Sequence, residues 1–217
     1  MNNENATSSE VRELVVEAVA SSAELMANPA VRDRWETNSA LDGMSVGALA
    51  AHLVRAAGAT IAYLDRTPEN VVPDKPLLTP VTYFHAAVDS PIHDEIKKVS
   101  LAESSIGHEA TVEKCLALVV ELKDRFSTEP ESRLVGALGG RLLTLDDFCR
   151  TRLIEVLFHL DDLANSVDVP TPDTNPLGRS IVIEVLIGIG RNNYGDWAVL
   201  HGLARAERSK TKVFPIF

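Results

Sequence analysis

Apolar residues recur at helical spacing along four long stretches of this chain, and this pattern limits the fold more than any other feature of the sequence. The first stretch covers residues 9–27, with Val11, Leu14, Val15, Ala18, Val19 and Leu25 on one face, and Asn28-Pro29 interrupts it. The second covers residues 46–66, with Ser45 as its predicted N-cap and a stripe of Val46, Leu49, Ala50, Leu53, Ala57, Ile61 and Leu64. The third, residues 109–126, is expected to turn Val112, Cys115, Leu116, Val119 and Leu122 inward. The fourth opens at Thr144-Leu-Asp-Asp147, which resembles a capping box with Asp in place of Glu, and runs to about Val167. Four amphipathic helices predict an all-α fold, a four-helix bundle over residues 10–167.

The connections carry their own signals. "LDGM" reads as a turn, and residues 68–80 as a loop punctuated by Pro68, Pro73, Pro76 and Pro80. Pro91 suits the first turn of a short helix, and "ESRLVGALGGRLL" has the Gly-Gly and branched residues of a hairpin or irregular connection. "VPTPDTNP" is the clearest linker. Beyond it, residues 168–217 hold two further helices and a short extended tail, expected to pack on the bundle as a C-terminal extension. The 217 residues suit one large domain or one and a half small ones, and an apolar share of 45% is enough to fill a core.

A net charge of −10 opposes a nucleic-acid backbone or an anionic membrane surface as partner. A helix-turn-helix reading of "SVGALAAHLVRAAGATIAYL" fails as well, because the helical stripe continues through Gly58. The apolar runs "LALVV" and "IVIEVLIGIG" are too short or too interrupted to span a bilayer. Cys115 and Cys149 form no CxxC and no disulfide framework, and "MNNENATSSE" has no secretory or transit pattern, so a cytoplasmic location is expected. Both thiols fall on core-facing stripes and are expected to be inert.

The chemistry concentrates on the fourth helix. At about 100° per residue, Cys149, Leu153, Val156, Leu157, Leu160 and Ala164 form one apolar arc, and Arg150, Asp161 and Asn165 point away from it. Arg152, Glu155, His159 and Asp162 form a narrow stripe between the two, with Phe148 and Phe158 expected to flank it. His52, among Ala48, Ala51 and Ala56 on the second helix, has similar placement. Two imidazoles and a carboxylate suit zinc, and a bundle interior is an established place to gather them. Asp162 can accept the free ring N–H of His159, and Arg152 can neutralise Glu155 or meet an anionic substrate. An i,i+4 Glu–His surface pair accounts for Glu155 and His159 equally well, so the residues alone leave both readings open. His85, His93, His108 and His201 lack such partners and are expected in loops or at the surface.

A resemblance adds to this. "LDGMSVGALAAHLVRAAGA" and, much later, "RLLTLDDFCRTRLIEVLFHLDDLANSV" resemble segments of the mycothiol-dependent maleylpyruvate isomerase N-terminal domain family, in the DinB-like superfamily of metal-binding four-helix bundles. The matching motifs are Leu49-Ala-Ala-His52 and the run Arg152, Glu155, His159, Asp162, Leu163. The resemblance covers residues 10–167, loosely over 70–110. It implies a DinB-like bundle whose metal, Zn²⁺ or another divalent ion, is held by His52, Glu155 and His159. It also implies a small-molecule thiol such as mycothiol or bacillithiol, used in isomerisation or thiol transfer. The isomerase carries a further C-terminal domain with a catalytic arginine, and none of Arg191, Arg205 and Arg208 can be matched to it. No catalytic residue is assigned.

The leading expectation is therefore a zinc-binding, thiol-dependent enzyme acting on a small electrophilic substrate. The alternative is a non-catalytic metal- or ligand-binding bundle of the same superfamily. The expected partners are the thiol and the substrate, without nucleic acid or membrane, and a homodimer is left open.

Overall fold

Thr7 starts the first helix with a complete capping box: its side chain accepts from the backbone N–H of Glu10, and the Glu10 carboxylate accepts from the N–H of Thr7. The structure, a computed structural model, describes residues 6–88, 92–137 and 139–216, leaving aside the side chains of 85–88, 92–94 and 206. In chain order the elements are α1 (Ser8–Met26), α2 (Pro29–Asp33), α3 (Val46–Arg66), α4 (Pro80–Val88), α5 (Ile92–Ser104) and α6 (His108–Thr128). A hairpin of β1 (Leu134–Ala137) and β2 (Arg141–Thr144) follows, then α7 (Leu145–Ser166), α8 (Pro176–Tyr194), α9 (Asp196–Ala204) and a 3-10 turn at Ala206–Arg208. The fold is all-α apart from that antiparallel hairpin.

The bundle is α1, α3, α6 and α7, with α3 and α7 side by side. Its core is continuous, running from Val15 and Val19 on α1 through Leu49 and Leu53 on α3 and Leu122 on α6 to Leu153, Val156 and Leu160 on α7. Helix α3 is long and apolar enough to cross a membrane by length and composition, which the reading of shorter runs overlooked. Its apolarity has another outlet, because α3 packs against α1, α5, α6 and α7 and is buried on several sides. Gly47 lets the chain close up there: a Cβ at this position would stand 2.5 Å from the Trp35 ring, which is itself buried.

Two buried arginines hold the helix ends. Arg12 pairs with Asp146 at 2.8 Å and donates to the carbonyls of Glu129 and Pro130, joining α1 to the end of α6 and the start of α7. Arg133 donates to the carbonyls of Leu64, Thr67 and Pro68, satisfying acceptors at the C-terminus of α3. The hairpin between α6 and α7 therefore serves as a clamp on the far end of α3.

Several expectations need correction. Helix α4 begins at Pro80, where only the end of a loop was read; Thr79 and Thr82 exchange side-chain and backbone hydrogen bonds across its first turn. Pro91 lies outside the described residues. On α6 the inward stripe is Thr111, Cys115, Leu118, Leu122 and Phe126, whereas Leu116 is 53% exposed. An apolar residue one position off the stripe fits a period of 3.6 poorly, and Leu116 turns outward for that reason. Thr144 accepts from the N–H of Asp147, but the Asp147 carboxylate pairs with Arg150, so the box at the start of α7 is only half made. Asp is one methylene shorter than the Glu that closes such a box.

Candidate metal centre

His52 and His159 come from the two helices that pack side by side, α3 and α7. Ser45 fixes the start of α3 by accepting from the N–H of Ala48, and Thr144 fixes the start of α7. Each side chain is thereby carried on a helix with a defined origin. Glu155 and His159, one turn apart, project from the same face of α7. That face meets α3 around Ala56, whose carbonyl accepts from Arg152.

The distances are short. Nε2 of His52 lies 3.1 Å from Nε2 of His159, and Nε2 of His159 lies 3.5 Å from Oε2 of Glu155. One ligand atom from each of the three residues falls within 4.8 Å of the others. Nδ1 of His159 is 3.1 Å from Oδ2 of Asp162, whose backbone carbonyl in turn accepts from Ser166. All three sequence-predicted metal residues are thus brought together, with Asp162 against the outer nitrogen of His159.

Arg152 lies deeper than its place on the stripe between the apolar arc and the polar face implied. It is 5% exposed, donates to the carbonyl of Ala56, to the hydroxyl of Thr151 and to the phenol of Tyr83, and stacks 4.7 Å above the Phe148 ring. It makes no direct ion pair with Glu155 among the described contacts, and acts on it through space. Phe148 is fully buried and walls the stripe as expected, but Phe158 is 43% exposed and does not. His108 is also corrected: it is half-buried at the start of α6, edge-on to Trp35, with Nε2 2.7 Å from the carbonyl oxygen of Met26. His201 is half-exposed on α9 beside Trp197. The side chains of His85 and His93 lie outside the described residues.

Burial opposes charge on all three clustered groups, yet they end in different states. On His52 burial dominates, helped by the charge of His159, and pushes the pKa down to about 4. On His159 burial pulls the pKa down too, but hydrogen bonds to Asp162 and Glu155 outweigh it and raise the value to about 9. On Glu155 burial pushes upward and is overcome by the His159 hydrogen bond and the charge of Arg152, leaving it at about 2. Cys115 and Cys149 are buried away from this cluster, and burial raises both thiols to about 12.

The proton count exposes a conflict. Arg55, on α3, brings Nη2 within 3.3 Å of Nδ1 of His52. A guanidinium only donates, so Nδ1 must accept, and a neutral His52 then carries its one proton on Nε2. That proton can go to His159 only if Nε2 of His159 is bare, and a bare nitrogen faces the Glu155 carboxylate lone pair to lone pair. If Nε2 of His159 is protonated instead, it satisfies Glu155 but meets the N–H of His52. No placement of protons satisfies the Arg55, His52, His159 and Glu155 contacts together. A protonated His159 that shares its Nε2 proton between His52 and Glu155 satisfies the inner contacts and leaves only Arg55 opposed; a divalent cation would satisfy the same three groups, whose ligand atoms lie within 4.8 Å of one another. Tetrahedral zinc ligands at roughly 2.0–2.1 Å from the metal stand about 3.3 Å from each other. Two of the three separations, 3.1 and 3.5 Å, lie near that spacing, and the third is within 4.8 Å.

Sequence reasoning missed the surroundings contributed by the middle of the chain. Tyr83 comes from the unrecognised α4, and Ser100 and Glu103 from α5, where each contacts Arg55. Arg55 itself was visible, three residues after His52 on the same helix, a spacing that puts two side chains on one face.

The mycothiol maleylpyruvate isomerase N-terminal domain family matches residues 15–164. A crystal structure of the mycothiol-dependent maleylpyruvate isomerase is similar in fold, with a TM-score of 0.57 at 15% identity, covering 91% of this chain and 75% of that one. No curated protein sequence matches the chain.

Proposed function

The chain belongs to the mycothiol maleylpyruvate isomerase N-terminal domain family, and from that premise we propose that it is a zinc-binding enzyme using a low-molecular-weight thiol on a small electrophile. Mycothiol, or a similar thiol, is the co-substrate, and the reaction is an isomerisation or a thiol transfer. His52, Glu155 and His159 would hold the metal. Bound zinc supplies one thing here: it lowers the pKa of a thiol so that thiolate is present at neutral pH.

The chain's own residues prepare this site. Asp162 accepts from Nδ1 of His159, which turns Nε2 of that ring inward and raises its basicity. Arg152 keeps Glu155 ionised from a distance. Neither cysteine offers a competing nucleophile, since both are fully buried with raised pKa values. The supporting observation is the convergence of His52, Glu155 and His159, whose candidate ligand atoms lie within 4.8 Å of one another.

A second reading, a metal-binding bundle without turnover, has an observation in its favour. Arg152 is the one arginine on the ligand stripe, and it is buried with three of its five N–H donors given to Ala56, Thr151 and Tyr83.

The test is elemental analysis of the purified protein, followed by an assay of maleylpyruvate consumption with zinc and mycothiol. We expect about one zinc per chain, lost in each of His52→Ala, Glu155→Gln and His159→Ala, and turnover that needs both zinc and thiol. Tight zinc without turnover on any thiol–electrophile pair supports the second reading. Failure to bind any divalent metal sinks both.

A further inference from the structure

Arg55 is not a ligand, yet it touches the ligand set at the worst place for a metal. A neutral imidazole that binds metal through Nε2 carries its proton on Nδ1, and that proton needs an acceptor. His159 has one in Asp162. His52 has instead the Nη2 of Arg55 at 3.3 Å, a group that can only donate. The same Nη2 donates to Ser100 Oγ, also at 3.3 Å, and Ser100 in turn donates to the carbonyl of Ile96.

The guanidinium is not settled in this position. Its Nε is buried and lacks a hydrogen-bond partner, although Oε2 of Glu103 lies only 3.3 Å away. The two are close enough to attract as charges but are misaligned for a hydrogen bond. The side chains of Arg55 and Glu103 are each about one-third exposed, at 33% and 31%, so a shift of Arg55 toward Glu103 leaves a charged pair at the surface and buries no charge. A better partner for Arg55 is therefore adjacent, and reaching it frees Nδ1 of His52.

We propose that Arg55 is a built-in antagonist of metal binding, holding His52 with its proton on Nε2, so that a metal is admitted only as Arg55 withdraws toward Glu103. The inference rests on the metal reading above and adds to it a residue that sets how tightly the site binds. The proton relocates within His52, from Nε2 to Nδ1, while the ring stays neutral throughout. An acceptor in place of Arg55 would complete for His52 what Asp162 completes for His159. Hydrogen-bond partners of metal-bound histidines change affinity by about ten- to a hundredfold, and that is the scale expected here.

The experiment compares the full chain with Arg55→Gln, Arg55→Met and Arg55→Lys by zinc competition against a chromogenic chelator. Gln removes the charge and offers an acceptor, Met removes the charge alone, and Lys keeps a donor-only cation. Zinc should bind at least about tenfold more tightly to Arg55→Gln than to the unaltered chain. It should also bind more tightly to Arg55→Gln than to Arg55→Met, with Arg55→Lys unimproved. Equal gains in the Gln and Met variants would reduce Arg55 to a repelling charge and overturn the inference, as would no gain at all.

A second measurement does not depend on metal. Imidazole ¹⁵N shifts of the metal-free, unaltered chain should place the His52 proton on Nε2, and a proton on Nδ1 overturns the inference directly. Zinc retained by neither the unaltered chain nor Arg55→Gln overturns the metal reading itself, an outcome distinct from equal affinities, which remove only the role of Arg55.

Discussion

His52 and His159 stand Nε2 to Nε2 at 3.1 Å, although 107 positions separate them in sequence. Two imidazole nitrogens approach so closely only when a proton lies between them or when a shared cation is to hold both. Around this pair one carboxylate, Glu155, completes a set of donors, and another, Asp162, backs one of the rings. The predictions below follow from that arrangement and from the packing that enforces it.

Zinc affinity should increase with pH up to about 9, because His159 must lose the proton that Asp162 and Glu155 hold on it. The metal-free protein should behave differently. His159, raised from 6.5 to about 9, contributes stability that is present below pH 6.5 and is lost as pH rises through 9. His52, lowered from 6.5 to about 4, contributes stability present above pH 6.5 and lost as pH falls toward 4. Through this cluster the metal-free melting temperature should peak near pH 6.5, and saturating zinc should remove the decline on the alkaline side. Melting curves across that range, with and without chelator, check it; a metal-free protein whose stability is flat across both flanks contradicts the assignment.

Asp162→Ala should weaken zinc binding by about ten- to a hundredfold while leaving α7 folded. Asp162 is half-exposed, so its loss opens no cavity in the core. Competition titration gives the affinity and circular dichroism the helix content. An unchanged affinity would mean that the 3.1 Å contact to His159 does not orient the ring.

Cys115 and Cys149 should react with a thiol reagent only at the rate of unfolding. Burial raises both to about 12, so thiolate is scarce as well as inaccessible. Labelling in buffer and in denaturant separates the cases. Rapid native labelling of Cys149 would bring a protein thiol into the chemistry.

Gly47→Ala should destabilise the bundle by about 1–3 kcal/mol, the usual cost of overpacking. The added methyl would enter the Trp35 ring at 2.5 Å, and that ring, 8% exposed and edge-on to His108, has little room to move. Chemical denaturation measures the loss, and an unchanged midpoint would show the ring to be free to shift.

The bundle was legible because a buried helix face repeats every three or four residues, and α1, α3 and α7 keep that period without a break. The side-chain cluster was legible for a related reason: Glu155 and His159 are polar residues on the border of an apolar arc, where solvation alone does not place them. The middle of the chain was harder. Helix α4 starts after a proline-rich loop and is short, so its period has little length in which to show. Tyr83 therefore reaches Arg152 without any local signal, and Arg55 finds Ser100 and Glu103 through tertiary packing alone. Leu116, expected inward, and Phe158, expected to flank the polar stripe, mark the opposite failure: the helix turns both toward solvent.

The split of the ligands between α3 and α7 has a consequence for the order of events in the cell. A chain emerging from the ribosome presents His52 long before Glu155 and His159 exist, and a single imidazole on an undocked helix is a poor trap for zinc. Even α7 alone offers only two donors one turn apart. The third arrives only when the last bundle helix docks against α3, whose far end is held by Arg133 in the folded chain. On the proposed metal reading, metallation would be a late step that reports on finished topology, and a chain truncated before residue 145 would pass through synthesis without competing for the metal pool.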